Sequence, residues 1–166
     1  RSMSFKAGDI IILSTDGANP LLDWFINLVS KKTHVGMFIN EHEFIEAANP
    51  GGVKTSQFNS KWKHAKVYRA PDWVNQSFID QAVEMALIHK GDRYSMFQGF
   101  LSGFLRMFNL AERADKIDKN WNCSEFIGYL LRYGMQLNFM PNVALQSLLP
   151  DDLEHWLLGA AWAVIR

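Results

Sequence analysis

The hydrophobic period of this chain changes near Pro71-Asp72, and that change constrains the fold more than any other feature. Before it, apolar residues come in short runs at strand spacing. Ile10-Ile11-Ile12-Leu13, closed by Ser14-Thr15-Asp16-Gly17, predicts a buried strand followed by a loop. His34 to Ile39 and Phe44 to Ala48 flank the polar stretch Asn40-Glu41-His42-Glu43 and predict a hairpin. Asn49-Pro50-Gly51-Gly52 reads as a turn, and Val53–Gln57 and Lys66–Arg69 as further strands. After the change the spacing is helical. Val74, Phe78, Ala82, Val83, Ala86 and Leu87 predict a long amphipathic helix ending near Gly91; Phe97, Phe100, Leu101, Phe104, Leu105 and Phe108 predict another. A third runs from Asn122 to Tyr133, with Gly134 as its stop. A short helix after Pro20 over Leu21 to Val29, a charged exposed loop or fraying helix end from Ala111 to Asn120 and a closing strand over Ala160 to Ile165 complete the pattern. Strands first and helices after predict an α+β fold rather than alternating βαβ units.

At 166 residues, 48% of them hydrophobic, the chain is long and apolar enough for a single domain over residues 3–166. Arg1 and Ser2 read as a cloning remnant ahead of Met3. Lys plus Arg total 17 against 17 Asp plus Glu, whereas a protein binding nucleic acid through phosphate contacts carries a basic excess. The mixed stretch Lys61-Trp62-Lys63-His64, with Lys66, is therefore read as strand-edge charge rather than a nucleic-acid patch. No run reaches the roughly 18 apolar residues of a membrane span, and no charged leader precedes an apolar run. A soluble, cytoplasmic protein is expected, with peripheral membrane contact left open by the Phe-rich stretch from Tyr94 to Phe108. No His and Cys spacing fits a zinc site and no glycine-rich loop suits phosphate, so neither metal nor cofactor is expected.

The chain has one cysteine, so no internal disulfide can form. In Trp121-Asn122-Cys123-Ser124-Glu125-Phe126, Asn122 suits an N-cap, and Glu125 follows three residues on, as in a capping box. Phe126, Ile127, Leu130 and Leu131 then press the helix into the core. Cys123 falls in the first turn, where unpaired N–H groups favour a thiolate. A small buried apolar residue explains a lone cysteine equally well, so the nucleophile reading requires a base. Of five histidines, His42, His64, His89 and His155 read as solvated; His34 alone opens a strand within an apolar run. Glu46, amid Phe44-Ile45-Glu46-Ala47-Ala48, is costly to bury without a partner. With an odd hairpin loop, Asn40 to His42, Glu46 lies opposite Gly36 and diagonal to His34 on one face, where Gly36 leaves space for the imidazole. An even loop turns Glu46 to the other face. In the odd register the three side chains follow the logic of nucleophile, base and orienter.

Taken in order, Gly8-Asp9-Ile10-Ile11, Thr33-His34-Val35-Gly36, Phe44-Ile45-Glu46-Ala47 and Asn122-Cys123-Ser124-Glu125-Phe126 resemble the permuted NlpC/P60 superfamily, whose fold is a circularly permuted papain-like one. The resemblance runs from Gly8 to Leu149-Pro150-Asp151-Asp152-Leu153. It implies an antiparallel sheet or partial barrel packed on helices, Cys123 as nucleophile at a helix N-terminus, His34 as base and Glu46 as third residue. The carboxylate in third place is closer to the YiiX/YaeF-like hydrolases than to the lecithin retinol acyltransferase-like branch. Tyr94, after Gly91-Asp92-Arg93, resembles a family position lining the substrate pocket. The expected activity is thiol-dependent hydrolysis of a peptide amide, including one of cell-wall type. Acyl transfer from a lipid or thioester and an inert binding module on the same fold are the alternatives.

Overall fold

The consecutive isoleucines Ile10, Ile11 and Ile12 point alternately to opposite faces of a strand, so burying all three requires cover on both faces. All three are fully buried. In a computed structural model describing residues 4–14, 32–48, 50–62, 64–94 and 120–166, they form β1 (Ile10–Ser14), an inner strand of a six-stranded sheet. The other strands are β2 (Lys32–Phe38), β3 (Glu43–Ala48), β4 (Gly52–Gln57), β5 (Lys66–Arg69) and, last in the chain, β8 (Ala163–Val164), in the order β4-β3-β2-β1-β5-β8. Every pairing in it is antiparallel. The helices are α1 (Gln76–Ile88), α2 (Cys123–Tyr129) and α3 (Pro150–Gly159), and a two-stranded parallel ribbon joins β6 (Arg93–Tyr94) to β7 (Asn120–Trp121). This is a mixed α+β architecture with an antiparallel sheet, as the change of period predicts. The expected helices over 21–29 and 97–108, and the loop up to residue 119, lie outside the described residues.

The two faces carry different cores. Ile10, Ile12, Val35, Met37, Ile45, Ala47 and Tyr68 meet the helices through Ala82, Ala86, Phe126, Leu130, Leu131, Leu153 and Leu157. Ile11, Phe38, Phe44 and Val67 form the second core with Phe5 and Ala65, covered by Phe58 and Trp62. Two ionic ties close the ends. Asp9, almost fully buried, accepts from Arg69 at 3.0 and 2.7 Å and from the Lys6 amide at 2.9 Å. Glu154 of α3 accepts from the buried Tyr68 hydroxyl and from Lys66 at 3.1 Å, which fastens the helix to β5.

The third expected helix departs from a simple α-helix. After Tyr129 it widens into a π-helical turn over Leu130–Gly134, with Met135 N donating to Leu130 O at 2.8 Å. Gly134 acts here as a point of close approach: a Cβ there would stand 2.7 Å from Ala82 Cα in α1. The left-handed turn comes two residues later, at Gln136 (φ 53°).

Candidate active site

Cys123 is the first residue of α2, where capping fixes the chain. Asn122 is extended (φ −91°, ψ 165°), its Oδ1 accepts from Glu125 N at 2.8 Å, and Glu125 Oε2 accepts from Asn122 N at 3.3 Å. The capping box read in the sequence is thus formed, and both of its side chains are buried.

The hairpin has the odd register. Gly36 pairs with Glu46, Met37 with Ile45 and Phe38 with Phe44, while Ile39 N donates to Glu43 O at 2.9 Å and leaves Asn40 to His42 as the loop. Its Asx geometry explains the length, because Asn40 Oδ1 accepts from the amides of His42 and Glu43, each at 2.9 Å. His34 and Glu46 consequently share a face, and His34 Nε2 is hydrogen-bonded to Glu46 Oε2. The space beside Gly36, however, is taken by the Phe44 ring, whose Cδ2 would stand 2.8 Å from an added Cβ. Just before His34 the β1–β2 register slips: Leu13 pairs with His34 but Ser14 with Lys32, so Thr33 is an extra residue at a bulge. A bulge at that point re-aims the strand end that carries His34.

Cys123 Sγ lies 3.9 Å from Ser124 Oγ, and the thiol feels the His34 imidazole and the Val35 backbone N–H. With Nε2 engaged by Glu46, Nδ1 is the ring nitrogen left for the thiol. His34 thus interacts with Glu46 through Nε2 and with the charge of Cys123. Burial alone pushes the thiol up and the imidazole down. Against that, His34, Ser124 and the Val35 N–H hold the Cys123 thiol below its ordinary value. The hydrogen bonds and charges of Cys123 and Glu46 raise His34 to about 10. Burial likewise pushes the Glu46 carboxyl up, but His34, Ser56 and Lys54 together hold it below the ordinary carboxylate value. These directions favour the charged forms of the thiol, the imidazole and the carboxyl over their neutral alternatives.

Tyr94 reaches the same place from the β6–β7 ribbon, where it pairs with Trp121, two residues before Cys123. Burial and the nearby Cys123 charge both raise its phenol, so it stays protonated as a donor. It is the last residue of β6.

Three features are absent from the sequence reading. Ser56 Oγ donates to Glu46 Oε1 at 2.5 Å. The Trp62 ring, read as part of a surface stretch, packs 5.8 Å from the His34 ring and edge-on to Phe44 at 4.6 Å. His89 is not solvated as expected: its Nδ1 is 2.7 Å from Asp92 Oδ2, which also accepts from Trp121 Nε1 at 3.0 Å. Its ring stands edge-on to Trp121 and Tyr129. His42, His64 and His155 are exposed, as read. The signal for Ser56 was its strand parity with Glu46, legible only once the β3–β4 register is known; that for Asp92 was nil.

Two clefts among the described residues, about 570 Å³ beside Arg69 and Trp73 and about 550 Å³ beside Met140 and Trp156, are lined by none of Cys123, His34, Glu46 or Tyr94. No helix among the described residues is long and apolar enough to cross a membrane. Comparison with family models and with curated proteins finds no match.

Proposed function

We propose that this chain is a thiol-dependent hydrolase of the permuted NlpC/P60 type, cleaving an amide through Cys123, His34 and Glu46. The observation that carries the reading is the His34–Glu46 hydrogen bond beside Cys123, with the thiol lowered and the imidazole raised in pKa although burial opposes both shifts. A purely structural buried cysteine has its pKa raised, not lowered.

In the proposed reaction the Cys123 thiolate attacks the carbonyl carbon, and the carbonyl π electrons move to oxygen. The Cys123 backbone N–H, at a helix start without an intrahelical partner, and the neutral Tyr94 hydroxyl supply donors for that oxyanion. Collapse breaks the C–N bond as His34 Nδ1 gives its proton to the leaving amine. Water then attacks the thioester while His34 takes a proton, the C–S bond breaks, and acid and thiolate leave the cycle restored. Glu46 keeps Nε2 protonated throughout, so Nδ1 alone shuttles the proton.

The experiment is the rate of Cys123 alkylation by iodoacetamide from about pH 4 to pH 9 in the parent and in His34→Ala. Persistence well below neutral pH, lost in His34→Ala, is the expected result. A rate that rises only at alkaline pH and ignores His34 points instead to an inert binding module. Mass spectrometry of the acyl-enzyme after incubation with peptide amides and, separately, lipid esters then assigns the acyl donor. Adducts from lipid esters alone would move the protein to the acyltransferase branch.

A further inference from the structure

The carboxylate of Glu46 is held from both sides, and only one of its partners belongs to the reacting set. Oε2 faces His34, and Oε1 accepts from the Ser56 hydroxyl at 2.5 Å. We propose that Ser56 is a positioning residue for the Cys123–His34 pair, acting through Glu46 by fixing the plane of its carboxylate. The proposal rests on the hydrolase reading above.

Register explains how Ser56 reaches Glu46. On β4, Ser56 pairs with Phe44 and Lys54 with Glu46, so Ser56 and Lys54 share the face of Glu46, with Ser56 on the diagonal. The terminal torsion of a glutamate is broad and roughly two-fold, so a carboxylate held by one oxygen swings through a wide arc. A second hydrogen bond on the other oxygen removes that freedom and leaves the His34 ring with one acceptor direction. The Ser56 hydroxyl has a single proton, and donating it to Glu46 takes Ser56 out of contention as a nucleophile. Lys54 adds positive charge on the same side, its Nζ anchored on Pro50 O at 3.1 Å.

A merely structural role does not require the hydroxyl. The β3–β4 ladder is made by backbone groups from Glu43–Gln57 to Ala48–Gly52, and Ser56 is half-buried on an end strand. Among the described residues its side chain makes no other hydrogen bond. In a strand threonine fits as well as serine and keeps the hydroxyl, whereas alanine keeps only the backbone.

The test is the alkylation profile of Cys123, the one thiol in the chain, in the parent, Ser56→Ala, Ser56→Thr, Glu46→Gln and the double variant Ser56→Ala/Glu46→Gln. Ser56→Ala is expected to move the acid limb upward by about half a pH unit, roughly a threefold loss of rate at a fixed pH on the limb. Ser56→Thr should restore the parent profile. In the Glu46→Gln background, removing the hydroxyl should add nothing, because the path runs through the carboxylate. A Ser56→Ala profile that superimposes on an activated parent overturns the positioning role and leaves the hydrolase reading intact. A shift of equal size in both backgrounds overturns it too, since Ser56 would then act by another path. A parent with no acid-persistent, His34-dependent reactivity overturns both readings.

Discussion

Glu46→Gln separates the role of the carboxylate's charge from that of its shape. The amide fills the same volume, and its oxygen can still accept from Ser56, now at 2.5 Å from Oε1. The NH2 group then faces His34 Nε2. A donor there demands an unprotonated Nε2, which places the ring proton on Nδ1, the nitrogen that must accept from the thiol. Charge and tautomer are therefore lost together. A hydrogen bond to a charged partner contributes about 1.5–3 kcal/mol, and one pKa unit is about 1.4 kcal/mol, so the acid limb of Cys123 alkylation should rise by roughly one to two pH units. At a fixed pH on that limb the rate falls about 10- to 100-fold, and turnover falls further because the wrong tautomer cannot shuttle the proton. Stability carries the same signature. Glu46 titrates below its ordinary 4.5, so its contribution is present above that pH and lost as pH falls through the folded value. His34 is raised from 6.5 to about 10, so its contribution is complete below 6.5 and lost as pH rises through about 10. The stability gap between parent and Glu46→Gln, measured by urea unfolding, should be widest between about pH 4.5 and 6.5 and should shrink on acidification. An unchanged acid limb, or a gap that widens towards pH 3, would refute the reasoning.

Three other substitutions test the frame that holds the site. Gly52→Ala forces a residue at φ 71° and puts a Cβ 2.0 Å from Asp92 O; a loss of roughly 2–4 kcal/mol is expected, read as a fall in Tm of about 5–15 °C. Arg69→Leu strands the buried Asp9 charge and should cost about 2–3 kcal/mol, below the fully buried case because Arg69 is partly exposed. Adding Asp9→Asn to that variant should recover part of the loss in denaturant titrations. Asp92→Ala should destabilise by more than Trp121→Phe, by about 1 kcal/mol in thermal unfolding, because only the former leaves the indole N–H of a 1% exposed tryptophan without an acceptor.

How much of this was legible in the sequence depended on the distance over which each feature is decided. The hairpin register follows from three loop residues and a period of two, so the meeting of His34 and Glu46 could be read locally. The capping of α2 is set by Asn122 and Glu125, one turn apart. Features decided by distant partners were not legible. His89 is solvated on its own helix, but the chain returns 29 residues after Asp92 to place Trp121 against the same carboxylate, and that packing converts a surface histidine into a partly buried one. Trp62 lies among lysines in sequence yet covers Phe44 and His34, because the short helical turn Ser60–Trp62 folds back over the second core. The π-helical turn after Tyr129 escapes helical spacing altogether, since the pattern of Leu130 and Leu131 is the same whether the helix widens there or not.

Burial acts on the candidate nucleophile in two opposed senses, and the balance makes the strongest demand on the proposed mechanism. Cys123 is only 7% exposed, and removal from water by itself favours the neutral thiol. The same low-polarity surroundings strengthen its attraction to the imidazolium. With His34 present the second effect wins; without it only the Ser124 hydroxyl and the Val35 N–H remain to oppose desolvation. His34→Ala should therefore leave Cys123 less reactive at pH 7 than free cysteine, rather than equal to it. Free cysteine measured under the same conditions is the reference. A His34→Ala thiol that matches or exceeds that reference would mean that burial does not raise Cys123, and the lowered thiol of the parent could no longer be assigned to its pairing with His34.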